Sequence, residues 1–283
     1  MKKIILSAES TSDLTPELIR EHEIDIHPFR ITLDDRWYLD GRDIDNDLIF
    51  QTYEEKGILP KTSAINVAEY YRHFKKWTDQ GCEVIHLSMT SAITSSFQNS
   101  TLAARELEGV YTLDSRNLSS GIGLLLLKAA KWREEGFSAR EIVQRLETHR
   151  DKVRLTFVFG TLDYVRAGGR MSKAASLSAN MLHIKPLVYV DQTTGELMVG
   201  KKYRGPMAKV HARYIRDTLA QYPDIDRSRI FLSHSLQDES YVTEASRHLR
   251  ELMDFREILV TRVGSTISCH SGPNTLGLAL ELL

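Results

Sequence analysis

Three polar segments hold the residues whose types and spacing could do chemistry. Gly168-Gly169-Arg170 sets a cation directly after two residues without a Cβ, so the backbone can take positive φ and come close to a group that Arg170 then pairs with. A tight turn carrying a solvated arginine is the plain alternative. Ser88 to Thr101 carries hydroxyls at eight of fourteen positions, more than helix capping uses. In Gly264-Ser-Thr-Ile-Ser-Cys-His-Ser-Gly-Pro273, the imidazole of His270 could be a general base, a donor to an anion or a capped surface group. Hydroxyls, imidazole and guanidinium together suit the binding of a negatively charged or strongly accepting group.

The elements that must position these groups alternate. Lys3 to Ser7 reads as a buried strand, and Thr15-Pro16-Glu17 as a capped helix start with proline at its first position. Ile24 to Leu33 reads as a second strand, followed by an excursion through Asp45 and a helix from Asp47 to Lys56 that stops at Gly57. Lys61 to Asn66 reads as a polar link. Helices are expected over Val67 to Gln80, Ser95 to Glu108 and Ser119 to Glu135, with strands at Glu83 to Ser88 and Val110 to Asp114, and Ser138 with Glu141 has the spacing of a capping box. This alternation predicts a parallel sheet covered on both faces, over residues 1–153. In such a sheet ligands collect outside the carboxyl ends of strands, where Glu9-Ser-Thr-Ser12, Ser88 to Thr101, Asp114-Ser115 and Ser119-Ser120-Gly121 all lie.

Over residues 154–283 the rhythm changes, and an α+β domain is expected. Arg154 to Gly160 is β-like, the Gly-Gly-Arg segment forms a junction, and Ala174 to Leu182 has helical spacing. Leu187 to Val190 and Leu197 to Tyr203 should pair as an antiparallel hairpin. A helix from Pro206 to Tyr222, a strand from Arg229 to His234, a helix from Asp238 to Met253 and a last strand from Glu257 to Val263 follow, and Gly272-Pro273 leads into a terminal helix through Leu282.

Composition excludes several classes. A formal net charge of −1 argues against nucleic acid, and the apolar run Ile122 to Leu127 is far short of a membrane span. The N-terminal apolar run is too short for a secretion signal, and Cys82 and Cys269 form no disulfide or zinc pattern, which fits a reducing cytoplasm. There is no Gly-x-Ser-x-Gly elbow and no Walker A sequence, and Gly121-Ile-Gly123 lacks the third glycine of a dinucleotide fingerprint. Cys82 and His86 are read as core residues rather than metal ligands.

Thr62-Ser63 after Pro60, the hydroxyl run Ser91 to Gln98, Leu162-Asp-Tyr-Val-Arg-Ala-Gly-Gly-Arg-Met171 and His270-Ser-Gly-Pro273 resemble, in order and spacing, motifs of the DegV family of bacterial fatty-acid-binding proteins. The opening Ser10-Thr-Ser-Asp-Leu14 is similar to that family's start. The resemblance implies a two-domain fold with a lipid tunnel between the domains, a long-chain fatty acid as ligand with no cofactor, and presentation of that ligand to a separate fatty acid kinase rather than catalysis. It implies that Thr62 and Thr94 bond the carboxylate and that Arg170 and His270 support the network. Ser63, Ser91, Ser95 and Ser96 are candidates from the same motifs, and Arg204 is a candidate for docking the kinase. Two other readings stay open: an acyl hydrolase or transferase using His270 with Thr94 or Ser96, and a lipid-responsive regulatory module. The chain departs from the family pattern at Ala64-Ile65-Asn66, at Thr94-Ser95-Ser96-Phe97 and at Asn274.

Overall fold

The computed structural model describes residues 2–170 and 184–283. The first part runs β1 (Ile4–Glu9), α1 (Pro16–Glu21), β2 (Ile24–His27), β3 (Arg30–Leu33), β4 (Arg36–Leu39), α2 (Asn46–Lys56), β5 (Lys61–Ser63), α3 (Val67–Thr78), β6 (Glu83–Ser88), α4 (Ser96–Ala104), β7 (Val110–Asp114), α5 (Ser120–Glu134) and α6 (Ala139–His149). The second runs β8 (Val153–Val158), α7 (Asp163–Gly168), β9 (Ile184–Val190), β10 (Leu197–Arg204), α8 (Met207–Gln221), β11 (Ile225–His234), α9 (Glu239–Leu252), β12 (Glu257–Arg262), α10 (Ser265–Ser271) and β13 (Leu276–Leu282).

Strands β2-β1-β6-β7 form an all-parallel sheet. Its central strand β1 is buried along its whole length, as expected of a strand covered on both faces. The helix starts follow local chemistry: Thr15 accepts the Leu18 amide at 3.4 Å with Pro16 behind it, and Ser138 with Glu141 closes both bonds of a capping box. The second sheet is mixed, in the order β10-β9-β8-β13-β11-β12, with β11 and β12 parallel and its other pairs antiparallel. Helix α5 lies between the sheets and touches β1, β6, β8 and β13. Its run Leu124 to Leu127 is buried in one apolar core with Ile85 of the first sheet and with Leu155 and Phe231 of the second. A small antiparallel sheet, β4-β3-β5, stands apart.

Several elements differ from the sequence reading. Ile24 to Leu33 is two strands in two sheets rather than one, because Pro28 interrupts the ladder and Phe29 turns inward, 3% exposed, with its amide bonded to Ser10 Oγ at 3.1 Å. Part of the link after Pro60 is strand β5. The Gly-Gly-Arg segment is the end of a short helix, α7, whose last residue is Gly168 and whose cap is Gly169, rather than a turn alone. The C-terminus differs most: Ser265–Ser271, expected as a polar loop, is helical, and Leu276–Leu282 is the strand β13 at the centre of the second sheet, not a terminal helix. Leu276 to Leu280 are buried on both sides, so the run has no period to separate strand from helix, and pairing with β8 and β11 overrides the helical preference of its leucines and alanine. The helix expected over Ala174 to Leu182 lies outside the described residues.

Candidate functional site

A cavity opens between the two sheets. Its walls come from the loop after β6 (Met89, Ile93, Thr94), from β8 and its end (Leu155, Phe157, Phe159), from the end of β11 (Ser233, His234, Ser235), and from α10 (Thr266, Ile267, His270, Ser271), with Thr62, Ala64 and Arg170 on one side. Apolar side chains predominate. The first sheet contributes its strand ends, as the position of a ligand in an open parallel sheet demands.

Thr62 points inward because β5 alternates: Lys61 and Ser63 face solvent, and Thr62 between them faces α10. Its Oγ1 lies 2.8 Å from His270 Nε2. Burial, with the Arg170 charge adding to it, pushes the His270 pKa down to about 4, so the ring is neutral at neutral pH. Gly168 passes so close to His270 that a Cβ there would overlap Nδ1 and stand 3.3 Å from Cγ. Gly169 serves a different need, since it ends α7 with a left-handed φ of 63°. Arg170 is exposed, reaches the cavity rim and donates from Nη1 to the Gly168 carbonyl at 2.7 Å.

The start of α10 is fixed by two buried carboxylates from the first part of the chain. Asp13 Oδ1 accepts the Gly264 amide at 2.7 Å, and Asp40 Oδ1 accepts the Ser265 amide at 2.9 Å. Burial pushes the Asp13 pKa up to about 7; bonds from Ser119 and Gly264 oppose this, and the Asp40 charge adds to it. The position of His270 therefore depends on residues at opposite ends of the sequence.

The structure brings Thr62, Thr94, Arg170 and His270 to the cavity. Ser63 is on the outer face of β5. Ser91 is exposed and donates to Asp114 Oδ2 at 2.6 Å, and Ser95 is exposed at the start of α4. Ser96 is buried behind Thr94, with their hydroxyl oxygens 3.0 Å apart. Arg204 is exposed at the end of the edge strand β10, away from the cavity. Cys82 is half-buried before β6, and His86 is wholly buried against Glu9, Oε1 to Nε2 3.3 Å. Among the described residues no group of metal-ligating side chains could hold an ion.

Sequence reasoning passed over Ser233 and Ser235. They follow the rule applied to the first sheet, since they lie at the carboxyl end of a strand, β11. Tyr70, which donates to the buried Glu9, was not singled out, and Glu9 entered only as part of the polar segment at the end of the first strand.

The DegV family model, described as that of an uncharacterised protein family, matches residues 3–282. The chain belongs to the DegV family. A DegV domain-containing protein of Clostridium perfringens is 30% identical over 282 residues, covering 98% of both chains. Another, from Caldanaerobacter subterraneus, is 29% identical and covers 99% of both. Among solved structures, one describing fatty acid binding by a DegV family protein from Thermus thermophilus superposes with a TM-score of 0.90 at 27% identity, covering 99% of this chain and 100% of that one. A DegV lipid-binding protein from Thermotoga maritima superposes with a TM-score of 0.86 at 25% identity, covering 99% of each. The two-sheet α/β architecture is thus that of the DegV family. No helix among the described residues is long and apolar enough to cross a membrane.

Proposed function

We propose that this chain binds a long-chain fatty acid without transforming it. The carboxyl head meets Thr62, Thr94, Arg170 and His270, the tail lies along the apolar wall, and a separate fatty acid kinase receives the loaded protein at a surface that includes Arg204. The observation that carries the reading is a cavity whose wall joins the four motif residues to Phe29, Met89, Ile93, Leu155, Phe157 and Leu197. The fatty acid binding described for the similar Thermus thermophilus protein supports the same ligand class. Burying a chain yields roughly 0.8 kcal/mol per methylene, so ten methylenes contribute on the order of 8 kcal/mol before ordering costs, enough for the tail to dominate affinity.

Hydrolysis has weaker support. A nucleophilic hydroxyl needs a base within hydrogen-bond reach, and His270 Nε2 is engaged by Thr62, whereas Thr94 and Ser96 bond each other. Mass spectrometry of lipid extracted from the purified protein should find an acyl chain, and titration of delipidated protein with oleate should saturate at one equivalent. Absence of both results refutes the reading; turnover of acyl esters that is lost in His270→Ala replaces it with the hydrolase.

A further inference from the structure

A second pocket, of about 610 Å³, opens on the outer side of β5. Side chains alternate along this strand, so Thr62 faces the lipid cavity, Ser63 lines the outer pocket, and Ala64 borders both. Three arginines from different elements line the outer pocket: Arg30 of β3, Arg42 of the loop after β4 and Arg72 of α3. Among the described residues Glu69 is the one carboxylate on its wall, and both its oxygens are in use. Oε1 pairs with Arg30, and Oε2 accepts the Asn66 amide at 3.1 Å in the capping box of α3. The Arg42 and Arg72 guanidinium groups have no ion pair or hydrogen bond among the described residues. The pocket therefore holds a formal excess of two positive charges. Two imidazoles also line it, His27 and His73, with rings stacked 4.4 Å apart and 5° from parallel. Burial keeps both rings neutral at neutral pH, so they add no charge. His27 Nε2 is buried without a partner, the condition of a polar atom that a bound group would satisfy.

We infer that this outer pocket is a second binding site, for a phosphate group with two negative charges, held by Arg42 and Arg72 with Arg30 beside them. The excess charge of the pocket equals that of the dianion. Guanidinium forks match phosphate oxygens two at a time, and the Ser63 hydroxyl adds a neutral donor. A concave pocket of this volume suits a small molecule. The phosphate belongs either to the free ion or to a small ester. The site stands apart from the lipid reading: it shares β5 with the lipid cavity, and no oleate titration decides it.

Full-length protein is titrated calorimetrically with inorganic phosphate, phenyl phosphate and succinate, in chloride buffer of fixed ionic strength near pH 8, where phosphate is mostly the dianion. Phosphate should saturate at one equivalent. Arg42→Gln and Arg72→Gln should each weaken it about tenfold, the size of one charge-assisted hydrogen bond. Both side chains are exposed and unpaired, so these substitutions leave the packed core intact. Arg250→Gln removes the same charge from the exposed face of α9 and should leave phosphate affinity unchanged. Equal affinity for the two phosphates assigns the free ion, and tighter phenyl phosphate assigns an ester; the site stands in both cases. Succinate carries the same two charges on planar carboxylates and should bind at least about tenfold more weakly. Absence of saturable phosphate binding, or wild-type affinity in both arginine variants, overturns the inference. Succinate binding as tightly as phosphate overturns it too, in favour of carboxylates on a protein partner.

Discussion

The two glycines before Arg170 are adjacent and alike in sequence, yet the structure gives them separate tasks, and substituting each by alanine tests this. At Gly168 a Cβ would overlap His270 Nδ1 and stand 3.2 Å from Cε1 and 3.3 Å from Cγ, inside ordinary contact. The ring or α7 must then shift by about 1 Å, which opens the 2.8 Å bond between His270 and Thr62. Overpacking costs about 1–3 kcal/mol and the lost hydrogen bond about 1 kcal/mol, so Gly168→Ala should destabilise by roughly 2–4 kcal/mol and weaken lipid binding about tenfold. At Gly169 nothing lies within 4 Å, and the cost comes from φ of 63° alone; Gly169→Ala should cost about 1 kcal/mol and leave affinity unchanged. Urea unfolding followed by circular dichroism gives the stabilities, and calorimetric titration with oleate gives the affinities. Wild-type affinity in a folded Gly168→Ala variant, or a larger affinity loss in Gly169→Ala, would refute the assignment.

Three further outcomes are expected. Because the Asp13 pKa rises from an ordinary 3.8 to about 7 on folding, the native state keeps a proton that the unfolded chain has released between about pH 4 and pH 7. Stability from this group is therefore present below pH 4 and falls as pH rises through that window, by about 4 kcal/mol in total. Asp13→Asn should flatten the decline when urea midpoints are compared at pH 4.5 and 7.5, and an equal slope in both proteins would contradict the account. Burial pushes the Cys269 thiol well above its usual pKa, whereas Cys82 is half-buried; peptide mapping after iodoacetamide treatment of native protein should find Cys82 alkylated first, and equal labelling would show that α10 opens readily. Arg204→Glu should reduce phosphorylation of bound lipid by a purified bacterial fatty acid kinase while leaving oleate affinity unchanged; reduced affinity would end the docking proposal.

What could be read from sequence divides along physical lines. Local signals succeeded: the cap at Thr15, the box at Ser138 and Glu141, the stop at Gly57 and the Asp191 to Glu196 hairpin connection each involve residues a few positions apart. Leu276 to Leu282 failed because a run buried on both faces shows no period, and only its partners β8 and β11 decide its form. For the site, hydroxyls at strand ends pointed to the edge of the first sheet where the cavity opens. The bond between Thr62 and His270, 208 positions apart, is a product of tertiary packing, and only the family resemblance had placed these residues in one site. The separate tasks of Gly168 and Gly169 depend on distances that composition and spacing do not carry.

The most direct test of the central claim is calorimetric titration of delipidated protein with oleate, run beside the double variant Thr62→Val/His270→Leu. The account predicts one saturable site in the wild type, with affinity reduced at least tenfold in the double variant because its polar pair at the cavity is gone. Absence of saturable binding in the wild type, or equal affinity in a folded double variant, would contradict it.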